Sequence, residues 1–108
     1  MPEFTIEVLP GSSPGVRVLK LTGPFTMRDV FEFQQLVRAD AAPLTIIDLT
    51  EVPYMDSASL GSVLGFHVSC EKEGRKYALR GASDRLRSLF RMSGVDSMLH
   101  YAAETAGA

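Results

Sequence analysis

The apolar run from Leu44 to Leu49 limits the choice of fold more than any other segment of this chain. It is short, β-branched at Ile46 and Ile47, and bounded by Pro43 and Pro53, which favours a strand over a helix. A strand that is apolar at nearly every position is typical of a parallel sheet whose two faces are both covered. The segments on either side of it are therefore expected to supply helices that cross over the sheet.

Strand and helix patterns alternate around this central strand. Alternation of apolar and polar residues marks the strands, and apolar residues three and four apart mark the helices. The predicted strands are Phe4–Leu9, Val16–Thr22, Leu44–Leu49, Lys76–Arg80 and Met98–Tyr101, and the predicted helices are Met27–Ala39, Ser57–Gly74 and a segment from Ser83 to Gly94. The order β-β-α-β-α-β-α-β predicts an α/β fold with a mixed sheet of four or five strands and helices packed on it.

Side-chain directions can be assigned in two of these elements. In the first strand, Phe4, Ile6 and Val8 should share one side. In the second helix, the inward stripe is expected to comprise Leu60, Val63, Leu64 and Val68.

Length and charge exclude several classes of protein. A chain of 108 residues fits one domain, predicted over residues 1–108 with a core from about 4 to 101 and a flexible tail at 102–108. No apolar stretch approaches a membrane span, and no leader is visible, so a cytoplasmic protein without a membrane partner is expected. The net charge of −2 gives no support to direct nucleic-acid binding. The basic residues of the last third are interleaved with acidic ones, which favours a solvated surface.

The most informative polar residues are Asp56 and Ser57, which follow the central strand after a short loop and open the second helix. Sites in α/β sheets commonly lie beyond the carboxyl ends of strands, and a helix N-terminus favours an anion such as a phosphate. Asp and Ser are also the commonest helix caps. The local pattern alone therefore fits either a functional site or a simple cap.

The segment Asp56-Ser57-Ala58-Ser59-Leu60-Gly61, placed between an apolar strand and Val63-Leu64-Gly65, resembles the signature of the STAS family of anti-sigma-factor antagonists. That family usually has Asp-Ser-Ser-Gly-Leu-Gly here. The resemblance extends over about residues 4 to 101 and includes Gly23 at the start of a family turn.

This resemblance implies a function of protein binding controlled by phosphorylation. It implies that Ser57 is the phosphate acceptor, with Asp56, Ala58, Ser59 and Gly61 around it in the motif. The unphosphorylated protein would bind an anti-sigma factor that is also a Ser/Thr kinase, thereby regulating bacterial transcription, and a phosphatase would reset the switch. The alternative is a non-switching STAS scaffold, or a subunit of a signalling or lipid-transport assembly.

The chain departs from the family pattern at several positions. Thr26 stands where the family usually has Asp, and Ala58-Ser59 replaces Ser-Gly, which makes Ser59 an alternative acceptor. His67 lies on the inward helix face, where the family usually has an apolar residue.

Phe66 falls off the predicted apolar stripe of the second helix and is therefore expected to be exposed, where it could belong to a partner surface. His67 and Cys70 are three residues apart on that helix, but two ligands do not make a common zinc site. No nucleophile–base pair or phosphate-binding loop is apparent. We therefore expect neither metal, cofactor nor enzymatic activity.

Overall fold

Four strands form one mixed sheet in the order β1-β2-β3-β4 in the computed structural model, which describes residues 3–39 and 42–102. The strands are β1 (Thr5–Pro10), β2 (Val16–Thr22), β3 (Leu44–Glu51) and β4 (Lys76–Arg80). β1 pairs with β2 in antiparallel orientation, whereas β2, β3 and β4 are parallel neighbours. The predicted α/β class, the mixed sheet and the central position of the Leu44–Leu49 run are confirmed.

Helices follow each of the three parallel strands. A short 3-10 turn (Met27–Asp29) leads directly into α1 (Val30–Ala39), and α2 (Ser57–Glu73) and α3 (Asp84–Met92) follow β3 and β4. Gly74 ends α2 in the left-handed conformation, with φ of 69°, which a residue without a Cβ adopts at little cost. Ser83 caps α3 through its side chain, which accepts a hydrogen bond from the Leu86 amide.

The core lies between one face of the sheet and the helices. Leu19, Ile47 and Leu79 supply the sheet side, and Phe33 of α1 and Phe90 of α3 are among the helix residues that are fully buried against it. Burial of large side chains of this kind is the main stabilising contribution to such a domain. The helices that carry the sites described below are therefore firmly fixed to the sheet.

Two strand predictions need correction. The segment predicted as a fifth strand, Met98–Tyr101, makes only an isolated bridge between Tyr101 and Leu79, because the chain turns through residues 95–99 before it reaches β4. Val8 was expected to share the buried side of β1, but it is 50% exposed. β1 is an edge strand, so among the described residues no neighbouring strand covers one side of Val8.

The orientation of α2 also differs from the prediction. Its buried side includes Leu60 and Val63 as expected, but it also includes Phe66, and Val68 is 49% exposed. The inward face is thus rotated by roughly 90° from the predicted stripe, at ~100° per residue. The expectation that Phe66 is an exposed aromatic residue is wrong, because α2 packs against β4 on that side, and the Phe66 ring lies 5.8 Å from that of Tyr77.

Candidate functional site

The three helical segments that follow β2, β3 and β4 begin at the same edge of the sheet. Since these strands are parallel, their carboxyl ends lie together, and the chain then enters the helices at Met27, Ser57 and Asp84. In open α/β sheets this is the edge at which binding sites are usually found. Asp56 and Ser57 are located here, as the sequence predicted, and Thr26 lies at the same edge.

Asp56 caps α2. Its backbone is extended, with φ of −102° and ψ of 179°, and its Oδ1 accepts the Ser59 amide at 2.9 Å. In return, the Asp56 amide donates to the Ser59 hydroxyl at 3.1 Å. This is a reciprocal capping box with Ser in place of the usual Glu or Gln. Of the two cap candidates, the structure therefore selects Asp56 and leaves Ser57 as the first residue of the helix.

The same carboxylate also reaches a second helical segment. Asp56 Oδ2 accepts the amide of Met27, 29 residues away, at 2.9 Å. Just before this contact, the Phe25 amide donates to the Tyr54 carbonyl at 2.9 Å, and Phe25 pairs with Met55 in an isolated parallel bridge. The loop that leads to α1 and the loop that leads to α2 thus run side by side, and the Asp56 carboxylate accepts hydrogen bonds from the first turns of both helical segments.

These hydrogen bonds affect the charge state of Asp56. Partial burial acts to raise the pKa of the Asp56 carboxyl, but the amides of Ser59 and Met27 outweigh it and hold that pKa below its usual value. Hydrogen bonds donated to the charged form stabilise that form. Asp56 is therefore a fixed negative charge beside Ser57.

The serines of the motif differ sharply in accessibility. Ser57 and Ala58 are exposed, whereas Ser59 is 0% exposed and its hydroxyl belongs to the capping box. A modifying enzyme could reach the Ser57 hydroxyl without opening the helix, but it could not reach that of Ser59. Ser57 also lies on the first turn of a 17-residue helix, where the helix field favours an anion.

Thr26 has a structural role in the neighbouring segment. It precedes the 3-10 turn, and its amide and hydroxyl both donate to Asp29 Oδ2, at 3.0 and 3.3 Å. Thr26 is partly buried and lies one residue from the Met27 amide that Asp56 binds. It therefore shapes the site by fixing the start of the turn.

Two residues that the sequence analysis did not select lie beside this site. Met27 is 70% exposed and Phe31, one helical turn further on, is 69% exposed. The exposure of Phe31 could have been inferred from the sequence. Val30, Phe33 and Val37 recur at helical spacing and form the apolar stripe of α1, and Phe31 lies outside that stripe. Phe66, which was selected, is 4% exposed and packs beneath the Arg75 guanidinium, so it is not part of the accessible surface.

His67 and Cys70 take part in internal contacts. His67 lies on the inward face as expected and is 5% exposed. Its Nδ1 is 2.8 Å from the Tyr77 hydroxyl, and its Nε2 is 2.6 Å from Glu71 Oε1. Burial raises the pKa of the Cys70 thiol, which keeps it protonated and unreactive. Within residues 3–39 and 42–102, no three His, Cys, Asp or Glu side chains are grouped so that they could hold a metal ion.

Three of the basic residues of the last third are paired with carboxylates. Salt bridges join Arg75 to Glu73, Arg80 to Asp48 and Arg87 to Asp96. This pairing agrees with the expectation of a solvated, mixed-charge surface.

Comparison with known proteins places this architecture in a family. The STAS domain family matches residues 11–108. An anti-sigma-B factor antagonist of Listeria monocytogenes is 35% identical over 75 residues, which is 69% of this chain and 66% of that protein. The matched segment thus spans slightly less than two thirds of the length of that relative.

Two solved structures share the fold at lower identity. The Bacillus cell fate determinant SpoIIAA in its phosphorylated form is 23% identical, with a TM-score of 0.69 over 94% of this chain and 93% of its own. A sulfate transporter family protein of Wolinella succinogenes is 24% identical, with a TM-score of 0.71 over 80% of this chain and 73% of its own. These likenesses concern the fold, and the match of the family over residues 11–108 shows that the chain belongs to the STAS domain family.

Proposed function

We propose that this protein is an anti-sigma-factor antagonist, which binds an anti-sigma factor when Ser57 is unphosphorylated and releases it when Ser57 carries a phosphate. The observation that carries the proposal is the position of Ser57, which is exposed at the start of α2 directly after Asp56, whose carboxylate binds the amide of the exposed residue Met27. The name of the Listeria relative supports the antagonist role, and the phosphorylated form of SpoIIAA supports the modification.

The binding surface that we propose consists of Met27, Phe31, Ser57, Ala58 and Gly61, and we call it the docking surface. All five are exposed. Gly61 lies one turn after Ser57, and a Cβ at that position would have no atom within 4 Å. The fold itself therefore does not require a glycine there, whereas a partner backbone approaching α2 closely would.

An open groove continues this surface along the outer side of α1. Its volume is about 470 Å³, and it is lined by Phe31, Gln34, Gln35, Arg38 and Ala39. A partner that covers Ser57 would reach Phe31 and this groove. Exposed aromatic and methionine side chains are enriched in protein interfaces.

The switch follows from the charge of the phosphate. A serine hydroxyl is neutral and small, whereas a phosphate adds about −1.5 to −2 charges. On the docking surface, that charge would lie next to the Asp56 carboxylate and between apolar groups. A partner that packs against the neutral surface would then have to desolvate the phosphate without pairing it, which opposes binding. The helix N-terminus tolerates the same phosphate, so the free protein stays folded.

In this proposal the protein accepts a phosphate and performs no catalysis. The phosphate donor is ATP bound to the anti-sigma factor, which also acts as a Ser/Thr kinase, and a phosphatase returns Ser57 to the binding form. The protein would act with these partners in the cytoplasm to regulate transcription.

A second function is a STAS domain that serves as a fixed part of a larger assembly. The similarity to the Wolinella sulfate transporter family protein favours this alternative. No helix in residues 3–39 and 42–102 is long and apolar enough to cross a membrane. In such an assembly, charge at Ser57 would not control binding.

Titration calorimetry with the candidate anti-sigma kinase separates the two functions. The wild type and Ser57→Ala should bind alike, because loss of one exposed hydroxyl costs about 1 kcal/mol or less. Ser57→Asp should bind more weakly, and the phosphorylated protein several hundredfold more weakly, equivalent to about 3–4 kcal/mol.

Ser12→Asp is the matched control. Ser12 is exposed in the β1–β2 loop, at the opposite edge of the sheet, so a charge there should leave binding unchanged. Equal affinity of the phosphorylated and unphosphorylated proteins would reject the switch and favour the scaffold.

A further inference from the structure

We propose that Asp56 is a positioning residue that holds Met27 and Phe31 in a fixed place relative to Ser57, so that the docking surface is preformed. This inference rests on the proposed function and adds the role of one residue to it. The carboxylate would have two separable tasks, which are to cap α2 and to tie the start of α1 to the start of α2.

The two tasks use different oxygens. Oδ1 accepts the Ser59 amide at 2.9 Å, and Oδ2 accepts the Met27 amide at 2.9 Å. A helix cap needs only one acceptor, and Ser or Thr performs it with a single oxygen. The bond to Met27 is therefore not explained by capping.

The turn that begins at Met27 is also held by bonds within itself, among them the Val30 amide to the Met27 carbonyl and the Thr26 amide to Asp29, but these bonds do not tie the turn to α2. The Met27 side chain is 70% exposed, so packing constrains it little. The preceding residue that pairs with the α2 loop is Phe25, which is fully buried and whose amide binds the Tyr54 carbonyl. After Phe25 the chain turns outward, and the Asp56 bond fixes it again at the first residue of the helical segment.

The position of Phe31 depends on that of Met27, because both residues belong to the same helical segment. The 3-10 turn passes directly into α1, so Met27 and Phe31, four residues apart, lie on one side of a continuous helical segment. Phe33 and Val37 hold α1 in the core, and the bond from the Met27 amide to the cap of α2 fixes the start of the segment, which carries both apolar side chains, relative to Ser57. A preformed surface loses less conformational freedom when it binds.

Asp56→Ser separates the two tasks. Serine keeps a good cap for α2, but its single short side chain cannot also reach the Met27 amide. Met27→Pro removes the same bond from the other side without touching the cap. Proline is tolerated at the first helical position, and Thr26 already has the extended backbone that precedes a proline, with φ of −129° and ψ of −179°. Met27→Ala is the matched control, because it shortens the side chain but keeps the amide.

The first measurement requires no partner. Hydrogen exchange followed by NMR should show the Met27 amide protected in the wild type and roughly ten- to a hundredfold less protected in Asp56→Ser, as expected for loss of a hydrogen bond to a charged acceptor. Amides in the later turns of α2 should keep their protection. Unchanged exchange at Met27 would overturn the inference whatever the partner does.

The second measurement asks whether the bond matters for docking. In the wild type, Phe31→Ala should weaken binding of the anti-sigma kinase by about fivefold or more. In the Asp56→Ser and Met27→Pro backgrounds, the same change should weaken it by less than half that factor, whereas in Met27→Ala the full factor should remain.

Equal factors in all backgrounds would show that Asp56 is a cap and nothing more. No effect of Phe31→Ala on wild-type binding would also overturn the inference. Neither result bears on the Ser57→Asp experiment, which judges the proposed switch by itself.

Discussion

Replacing Ser59 by alanine should destabilise this domain, whereas replacing Ser57 by alanine should not, although the two serines lie in the same helical turn. The Ser59 side chain is completely buried, and its hydroxyl lies 3.1 Å from the Asp56 amide and 3.0 Å from the Asp56 carbonyl oxygen. Ser57 is exposed. For phosphorylation we expect the opposite: Ser57→Ala should abolish it and Ser59→Ala should not, because of the two hydroxyls only that of Ser57 is accessible to a kinase.

The size of the effect follows from the capping box. Ser59→Ala removes one reciprocal hydrogen bond of the box and leaves the Asp56 amide without its partner, while Asp56 still accepts the Ser59 amide. Loss of a cap costs about 0.5–2 kcal/mol, and a buried donor left unpaired costs about 1–3 kcal/mol. We expect a loss of about 1–2 kcal/mol, or roughly 5–10 °C in Tm for a domain of this size. Ser57→Ala should stay within about 0.5 kcal/mol of the wild type.

Urea denaturation of the wild type, Ser57→Ala and Ser59→Ala measures the differences in the free energy of unfolding. Intact-mass analysis of the same proteins after incubation with the kinase and ATP measures phosphate uptake. Ser59→Ala should still take up one phosphate, and Ser57→Ala should take up none. Peptide mapping of the wild type should place the phosphate on Ser57. Equal stability of Ser59→Ala and the wild type would refute the argument from the capping box, and phosphate on Ser59 or Thr26 would refute the argument from accessibility.

Three further predictions concern the rest of the fold. Gly65→Ala should raise the free energy of unfolding by about 0.5–1 kcal/mol, because Gly65 is an exposed residue within α2 with open space around a Cβ; a lower midpoint in urea would contradict this. Tyr77→Phe should lower it by about 1–3 kcal/mol, since buried His67 Nδ1 loses its partner at 2.8 Å, and an unchanged urea midpoint would show that this contact contributes nothing. Burial acts to raise the pKa of Asp48, but hydrogen bonds, above all from Thr50, hold it below the ordinary 3.8. The contribution of Asp48 to the free energy of unfolding is therefore present above pH 3.8 and lost as the pH falls through the lowered pKa. In thermal melts, Asp48→Asn should thus lose less stability than the wild type between about pH 5 and about pH 2, the range in which such carboxylates titrate.

Local signals in the sequence were sufficient for the four strands, the three helices and the family, although they also suggested a fifth strand that does not form. The apolar run at β3 is short, β-branched and bounded by prolines, which favours a buried strand, and Gly74 marks the end of α2 because a left-handed residue there favours glycine. The Asp56–Gly61 segment carried the resemblance to the STAS family, which the comparisons confirm. These features depend on residues close together in the chain, so one sequence can reveal them.

The orientation of α2 could not be obtained in this way. Apolar and small residues surround much of this helix, so its periodicity does not identify one inward side. Packing against β4 and α1 selects the side that contains Phe66 and leaves Val68 exposed. The same choice buries Ser59 and exposes Ser57, so that of these two serines only Ser57 presents its hydroxyl to solvent.

The composition of the docking surface was likewise set by tertiary structure. The sequence marked Asp56 as a motif residue that is either part of a functional site or a simple helix cap. Its bond to the Met27 amide spans 29 residues and exists because two parallel strands end at one edge of the sheet. A contact of this kind has no signature in either segment alone, since it depends on where the sheet places the ends of β2 and β3.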